Sequence, residues 1–213
     1  MWTMLGAWLP VTHAAYYARF KDQMDDMGVI YTGAKIGWTV PDCVPESEVS
    51  SIADLNKLDV KTKLNGTIQC IEPGAGEMVA SEKAMKEYDL AGYNLIRASE
   101  AGMLTAVSRA AYQSKSWIVA TVWSPHWLWQ KYKMRYLKDP KGVLGGDEQI
   151  RGFASKQFAQ EYPCANTFIK HYKLTQADVE QIELDGNANN DLNAAAKKFV
   201  YSHLEKVQAW LQQ

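Results

Sequence analysis

Residues 66–76 read GTIQCIEPGAG, a short apolar run that ends in a turn containing two glycines. This stretch predicts a strand followed by a tight turn and by a helix over Glu77–Tyr88. The same alternation continues along the chain, with strands predicted at 94–99 and 117–123 and a helix predicted at 100–114. Strands that alternate with helices indicate βαβ units, and therefore an α/β fold with a parallel sheet and right-handed crossovers.

Strands and helices are predicted before this block, and the chain becomes mainly helical after it. Upstream, we predict strands over 3–9 and 34–41, a helix over 11–26 with Thr12 as its cap, and a short helix capped by Ser51. Downstream, we predict helices near 147–160, 164–172, 175–184 (with Thr175 as the N-cap) and 191–212.

These elements predict two lobes. The middle lobe covers 64–145, and the terminal lobe is discontinuous and consists of 1–63 plus 146–213. A chain organised in this way crosses twice between its lobes, which permits hinge motion.

The composition excludes several classes of protein. The chain has 47% hydrophobic and 22% charged residues, as is usual for a globular protein, and its net charge of −1 gives no attraction to nucleic acid. No apolar run approaches the roughly 20 residues that span a bilayer, and no secretory signal or lipid anchor is recognised in this chain. The three cysteines (Cys43, Cys70 and Cys164) lack metal-binding spacing. They allow at most one disulfide, and the sequence does not say between which two of them.

Two tryptophans stand in nearly matching contexts, Trp8 in GAWLPVTH and Trp123 in VWSPHW. Each follows an apolar run and precedes a proline and then a histidine, which is typical of an indole at the exit of a strand. Two indoles that face each other across a cleft would suit a quaternary ammonium ion, because the faces of the rings attract cations that cannot donate hydrogen bonds. The alternative is that both tryptophans are core residues.

The turn at 70–76 and the histidines are the remaining candidates for a site. A glycine-rich turn between a strand and a helix exposes backbone N–H groups that attract anions, although an ordinary βα turn explains the same pattern. The four histidines lack zinc-binding spacing, so neither a metal nor a cofactor is expected. No nucleophile elbow or phosphate-binding loop occurs, and we expect that the protein is not an enzyme.

Several stretches resemble one known family in both content and order. They are AWLPVTHAAYY (7–17), VP (40–41), SIADL (51–55), GTIQCIEPGAGEM (66–78), YDL (88–90), ASEAGM (98–103), WIVATVWSPHW (117–127) and YLKDPKG (136–142). Taken together they resemble the substrate-binding proteins of glycine betaine ABC importers, an osmoprotectant-binding group of periplasmic binding proteins. Two departures are evident: the strand–helix–strand segment that usually precedes the AWLP strand is missing, and Cys70 stands where the family usually has glycine.

The resemblance implies a fold, a ligand and a set of site residues. The fold would be a two-lobed type II periplasmic-binding-protein architecture whose terminal lobe is incomplete. Glycine betaine or a related amine (proline betaine, choline or carnitine) would bind between the lobes and pass to an ABC permease. Trp8 and Trp123 would stack on the ammonium, while His13 and the N–H groups of Cys70 and Ile71 would hold the carboxylate. His126 is expected to be structural.

The resemblance also implies a location and leaves two alternatives open. The protein would be periplasmic, or extracellular and membrane-associated. One alternative is a truncated or structural homologue without ligand affinity, which another chain completes. Self-association through the incomplete lobe, or a rearranged segment, would then cover the edge of the sheet at the predicted strand 3–9, which carries Trp8. Trp2 or Trp38 could instead complete the aromatic cage. A more remote alternative is a small hydrolase that uses Glu72 or His126.

Overall fold

The structure is a computed structural model that describes residues 1–211 of the chain. In chain order the elements are β1 (Thr3–Leu9), α1 (Ala14–Phe20), β2 (Met24–Pro41), α2 (Leu58–Lys63), β3 (Thr67–Gln69), α3 (Gly76–Glu87), β4 (Asn94–Ile96), α4 (Glu100–Ser108), β5 (Ala120–Ser124), α5 (Leu128–Lys131), β6 (Met134–Tyr136), β7 (Glu148–Ser155), α6 (Phe158–Glu161), α7 (Pro163–His171), α8 (Gln176–Asn189), α9 (Leu192–Ser202) and α10 (Leu204–Leu211). Short 3₁₀ turns cover Lys21–Gln23 and Ile52–Asn56, and a π-helical turn over Arg109–Ser114 extends α4. Within residues 1–211, no helix is both long and apolar enough to cross a membrane.

The first of two compact units contains residues 1–34, 124–128 and the chain from Asp147 onward. Its sheet is antiparallel, with β7 between β1 and the first half of β2, so β1 lies at the sheet edge. Behind the sheet, α6 and α7 pack on a small apolar cluster of Met27, Ala154, Phe158 and Ile169. Trp210 of α10 is 5% exposed and contacts Tyr172, so it is a packing residue of this unit.

The second unit contains residues 35–123 and 129–146. Its strands β4, β3 and β5 are parallel, and α3 and α4 connect them as the sequence predicts. The second half of β2 pairs antiparallel with β6. The apolar core lies beneath these strands and includes Trp38, Ile52, Leu55, Ile68 and Met78. Ser51 forms a capping box with Asp54, so the predicted cap is present on the 3₁₀ turn.

The boundary between the units differs from the predicted lobes. It lies between Ala34 and Lys35 rather than between residues 63 and 64. The reason is that Trp38, Val49 and Leu55 are buried in the core of the second unit. The segment from 35 to 63 therefore belongs with the βαβ block.

The region around β2 was predicted incorrectly. The helix predicted over 11–26 is only α1, and β2 begins ten residues earlier than the predicted strand at 34. Gly28 and Gly33 adopt positive φ angles of 95° and 80°, and the pairing of β2 with β7 shifts register three times. These bulges interrupt the alternation of buried and exposed residues by which a strand is recognised from sequence. Thr12 does not cap α1, because its hydroxyl donates to Glu148.

The segment predicted as a helix over 147–160 is mainly the strand β7. Helices 164–172 and 175–184 correspond to α7 and to a longer α8, and Thr175 caps α8 as predicted. The helix predicted over 191–212 is divided near His203 into α9 and α10, and residue 212 lies outside the described residues. None of the three cysteines, all within residues 1–211, forms a disulfide.

Candidate functional site

The turn after β1 joins Trp8 directly to His13. The Trp8 N–H donates to His13 Nδ1 at 2.9 Å, and the His13 N–H donates to the Trp8 carbonyl at 2.9 Å. Between them, the Leu9–Pro10 peptide is cis. The turn is therefore closed by two reciprocal hydrogen bonds, and it fixes the imidazole beside the end of the strand that carries the indole.

The bond to Nδ1 determines the state of the imidazole. A ring nitrogen that accepts a hydrogen bond carries no proton, so the neutral His13 ring must hold its proton on Nε2. Burial lowers the pKa of His13, and the nearby Glu148 carboxylate raises it by a smaller amount. At neutral pH, His13 is thus a neutral donor from Nε2.

A buried carboxylate anchors the same turn. Glu148, the first residue of β7, is 1% exposed, and its Oε2 accepts the N–H groups of Val11 and Thr12 at 2.9 Å each. Its Oε1 accepts the Thr12 hydroxyl. Glu148 was not a candidate in the sequence, because it lies 136 residues from Thr12 and in a segment predicted to be helical.

An apolar pocket of about 550 Å³ opens beside His13 within the first unit. Trp2, Tyr16, Tyr17 and Phe20 give it aromatic walls, and Met4, Ala7, Leu9, Gln23, Met24 and Phe153 complete the lining. Tyr16 and Tyr17 are 60% and 37% exposed and line this pocket.

In the second unit, Trp123 lies near the end of β5 and is half-buried. Its carbonyl accepts the Trp129 Nε1–H at 2.8 Å, and the Trp129 ring packs against Tyr136 with centroids 4.7 Å apart. The Ser124–Pro125 peptide is cis, as Leu9–Pro10 is, so the two Trp-x-Pro sequences adopt the same peptide geometry. Trp129 thus packs against Tyr136 and supports the backbone of Trp123.

The predicted anion-binding turn lies next to this strand. Because β3 and β5 are parallel neighbours, their carboxyl ends lie at the same edge of the sheet. Cys70 and Ile71 follow the end of β3, and Trp123 is the last residue but one of β5. Cys70 and Ile71 are buried. The Cys70 N–H already donates to the Ile96 carbonyl at 2.9 Å, so it is not available for the carboxylate role expected of it.

The Cys70 side chain belongs to the core of the second unit. Burial raises the pKa of its thiol to about 12, and the Glu77 carboxyl adds to that rise. Trp38 is fully buried and donates its Nε1–H to Ser81 Oγ at 2.9 Å. Trp38 is therefore a core residue and cannot provide a wall of an aromatic cage.

Neither residue suggested for a hydrolase is placed like a catalytic group. Glu72 is exposed in the turn after β3. His126 is 2% exposed, and its Nδ1 accepts the Leu128 N–H at 3.1 Å, as suits the structural role expected of it.

Comparison with known proteins gives the family. A family model described as the substrate binding domain of the ABC-type glycine betaine transport system matches residues 3–202. A curated relative, the glycine betaine/carnitine transport binding protein GbuC of Listeria monocytogenes, is 33% identical over 155 residues, or 72% of this chain. The chain spans about half, 52%, of the length of that relative.

Two solved structures agree with this result. Lactococcal OpuAC in its closed form with glycine betaine is 36% identical, with a TM-score of 0.89, and the match covers 99% of this chain and 80% of that one. The glycine betaine/L-proline-binding protein ProX of Borrelia burgdorferi is 25% identical, with a TM-score of 0.90, and the match covers 99% and 78%. The predicted α/β periplasmic-binding-protein fold is therefore confirmed. The chain belongs to the family of substrate-binding domains of ABC-type glycine betaine transport systems.

Proposed function

We propose that this chain binds glycine betaine or a related quaternary ammonium osmoprotectant and delivers it to an ABC permease. The observation that carries the proposal is the closed Trp8–His13 turn, which places an aromatic cation-binding group next to a neutral hydrogen-bond donor. The relatives support the choice of ligand, because one is named for glycine betaine and carnitine and another was solved with glycine betaine.

The proposal assigns the ammonium group to two tryptophans. Trp8 and Trp123 contact the methylated ammonium, where a desolvated cation–π contact is worth about 2 kcal/mol. The ligand carboxylate accepts from His13 Nε2–H and from the Ile71 N–H. The Cys70 N–H is left out, since it already bonds to Ile96. Binding makes and breaks no covalent bond and needs no metal or cofactor.

The proposal predicts a preference among ligands. Glycine betaine should bind more tightly than choline, because its carboxylate forms charge-assisted hydrogen bonds that are roughly twice as strong as those of a hydroxyl. Calorimetric titration with glycine betaine, proline betaine, carnitine and choline measures this order. His13→Ala should reduce the advantage of glycine betaine over choline by about fivefold or more, since about 1 kcal/mol of hydrogen bonding is lost.

A matched control is His171→Ala, which removes a histidine at the end of α7. It should leave the ratio of the two affinities unchanged. Choline that binds as tightly as glycine betaine to the unaltered chain would contradict the carboxylate site, and failure to bind any of the four amines would contradict the proposed function as a whole.

The location and partners follow from the same proposal. We place the protein outside the cytoplasmic membrane, in the periplasm or at the cell surface, where an importer collects its ligand. Its protein partner is the permease of that importer. Self-association through the first unit is a further part of the proposal.

Self-association should be weak and dependent on concentration. Eight of the eighteen exposed large apolar side chains within residues 1–211 lie in the first twenty residues, around the edge strand β1. Five of these eight line the pocket beside His13, namely Trp2, Met4, Tyr16, Tyr17 and Phe20. Together they expose about 500 Å² of apolar surface per copy, if each side chain has about 200 Å² of surface and is half exposed. Two copies would bury about 1,000 Å², which is near the lower limit for a specific interface.

Sedimentation velocity over a range of concentrations tests this expectation. Tyr16→Lys should shift the protein towards monomer, because a charge on an apolar contact surface opposes burial. Tyr201→Lys is the matched control: Tyr16 is 60% and Tyr201 75% exposed, and Tyr201 lies on α9. A chain that stays monomeric at all concentrations, or an equal response of both variants, would show that this surface does not mediate association.

A further inference from the structure

We infer that Glu148 is a positioning residue for ligand binding, which holds the Trp8–His13 turn in the shape that lets His13 donate from Nε2. The inference rests on the proposed function, since it assigns a role in building the same site. It adds a residue of β7 that lies more than a hundred residues along the chain from the turn that it supports.

The first step is that the Glu148 carboxylate binds only to the turn between Trp8 and His13 among the described residues. Among residues 1–211, the three hydrogen bonds that the Glu148 carboxylate accepts all come from Val11 and Thr12, in the turn between Trp8 and His13. The strand partners explain how it reaches them: Gln149 lies opposite Leu9, and Ile150 lies opposite Trp8. Glu148 therefore lies just beyond the last paired residue of β1, at the point where the chain leaves the sheet and enters the turn.

The second step is the cost of this arrangement. A carboxylate that is 1% exposed loses its hydration, and it recovers stability here from hydrogen bonds to neutral groups. A turn that needed only stabilisation could use a hydroxyl or an amide at lower cost. A carboxylate offers two oxygens with about four acceptor sites, and this chain uses them to fix two consecutive N–H groups and a hydroxyl at once.

The third step links the turn to the imidazole. Thr12 and His13 are adjacent, so the carboxylate fixes the backbone immediately before the ring. The same backbone carries the His13 N–H that donates to the Trp8 carbonyl and closes the turn. If Glu148 releases Val11 and Thr12, the reciprocal bonds between Trp8 and His13 lose their support, and the Nε2–H is no longer held in one direction.

A double-mutant cycle tests the inference with glycine betaine and choline as the titrated ligands. Glu148→Gln keeps the size of the side chain but replaces one acceptor oxygen by a donor. It should weaken glycine betaine binding by about fivefold in the unaltered chain, and by less than about twofold in a His13→Ala background, because coupled residues are not additive. The ratio of glycine betaine to choline affinity should fall in the single variant.

A milder pair of variants covers the case in which Glu148→Gln does not fold. Thr12→Val removes the hydroxyl that donates to Glu148 and should weaken glycine betaine binding by about threefold, whereas Thr12→Ser restores the hydroxyl and should bind normally. Equal losses for Glu148→Gln with and without His13, or equal affinities for Thr12→Val and Thr12→Ser, would overturn the inference alone. An unaltered chain that binds neither ligand would overturn the proposed function and the inference together.

Discussion

Replacing Trp123 with alanine is expected to weaken glycine betaine binding at least tenfold, and Trp8→Ala should have an effect of the same size. A tenfold change corresponds to about 1.4 kcal/mol, and the loss of a fully desolvated cation–π contact of about 2 kcal/mol would give roughly thirtyfold. Both indoles are half-buried, so each retains a surface that a ligand can cover. Titration calorimetry on the two single variants measures the effect directly.

The control for this experiment is an indole that packs but is not part of the proposed site. Trp210 is 5% exposed and lies against Tyr172 and Phe168, so Trp210→Phe should leave the affinity unchanged while it lowers thermal stability. Trp123→Tyr should lose less affinity than Trp123→Ala, because tyrosine keeps an aromatic face for the cation. Equal affinities of the unaltered chain and Trp123→Ala would remove this tryptophan from the site.

The sequence predicts the second unit well, and the reason is physical. Its strands β3, β4 and β5 and helices α3 and α4 follow one another locally, so that strand and helix periods are readable within short windows. The Ser51 and Thr175 caps are also predicted correctly, because a capping box is a contact between residues three positions apart.

The first unit is predicted less well, since its sheet depends on contacts between distant segments. β7 pairs with β1 and β2, which precede it by more than a hundred residues, and the bulges at Gly28 and Gly33 disrupt the pattern in β2. Neither feature leaves a local signal. Tertiary pairing therefore decides these two strands, and a window of sequence cannot reveal it.

The candidate site shows the same division. The resemblance assigns Trp8 and His13 to the same site, and the structure joins them by two hydrogen bonds. That they bind a ligand stays a prediction. The turn at 70–76 follows β3 as the sequence predicts, and its role in binding an anion stays a prediction. The Cys70 N–H donates to the Ile96 carbonyl, so one of the two expected donors is already used. Glu148 escapes prediction entirely, since its role exists only once β7 has paired with β1.

Glu77, which directly follows the turn at 70–76, is a buried carboxyl group without a compensating partner. It lies in the first turn of α3 and is 3% exposed, and neither carboxyl oxygen has a hydrogen-bonding partner among residues 1–211. Burial raises the pKa of Glu77 from its ordinary value of 4.5 to about 8, and the nearby Gly37 N–H lowers this pKa by a smaller amount. The carboxyl is therefore mostly protonated in the folded protein at neutral pH.

This raised pKa predicts how stability depends on pH. Between pH 4.5 and about 8 the folded state binds a proton that the unfolded state has released, so the free energy of unfolding should fall as the pH rises through this window and then level off. Each pKa unit is worth about 1.4 kcal/mol, so Glu77 should lower the stability by at most about 5 kcal/mol at pH 9 relative to pH 4.

Glu77→Gln should abolish most of that loss, because glutamine stays neutral throughout. Urea unfolding at pH 4.5, 7 and 9 should show a small difference between the variant and the unaltered chain at the lowest pH, and a clear advantage of the variant at the highest. Glu87→Gln, an exposed position on the same helix, controls for the general loss of a carboxylate. Groups other than Glu77 titrate in this range, but they affect all three proteins alike and cancel in the comparison. If the unaltered chain and Glu77→Gln lose stability in parallel as the pH rises, the Glu77 carboxyl is hydrated or paired in solution, and burial does not hold its proton.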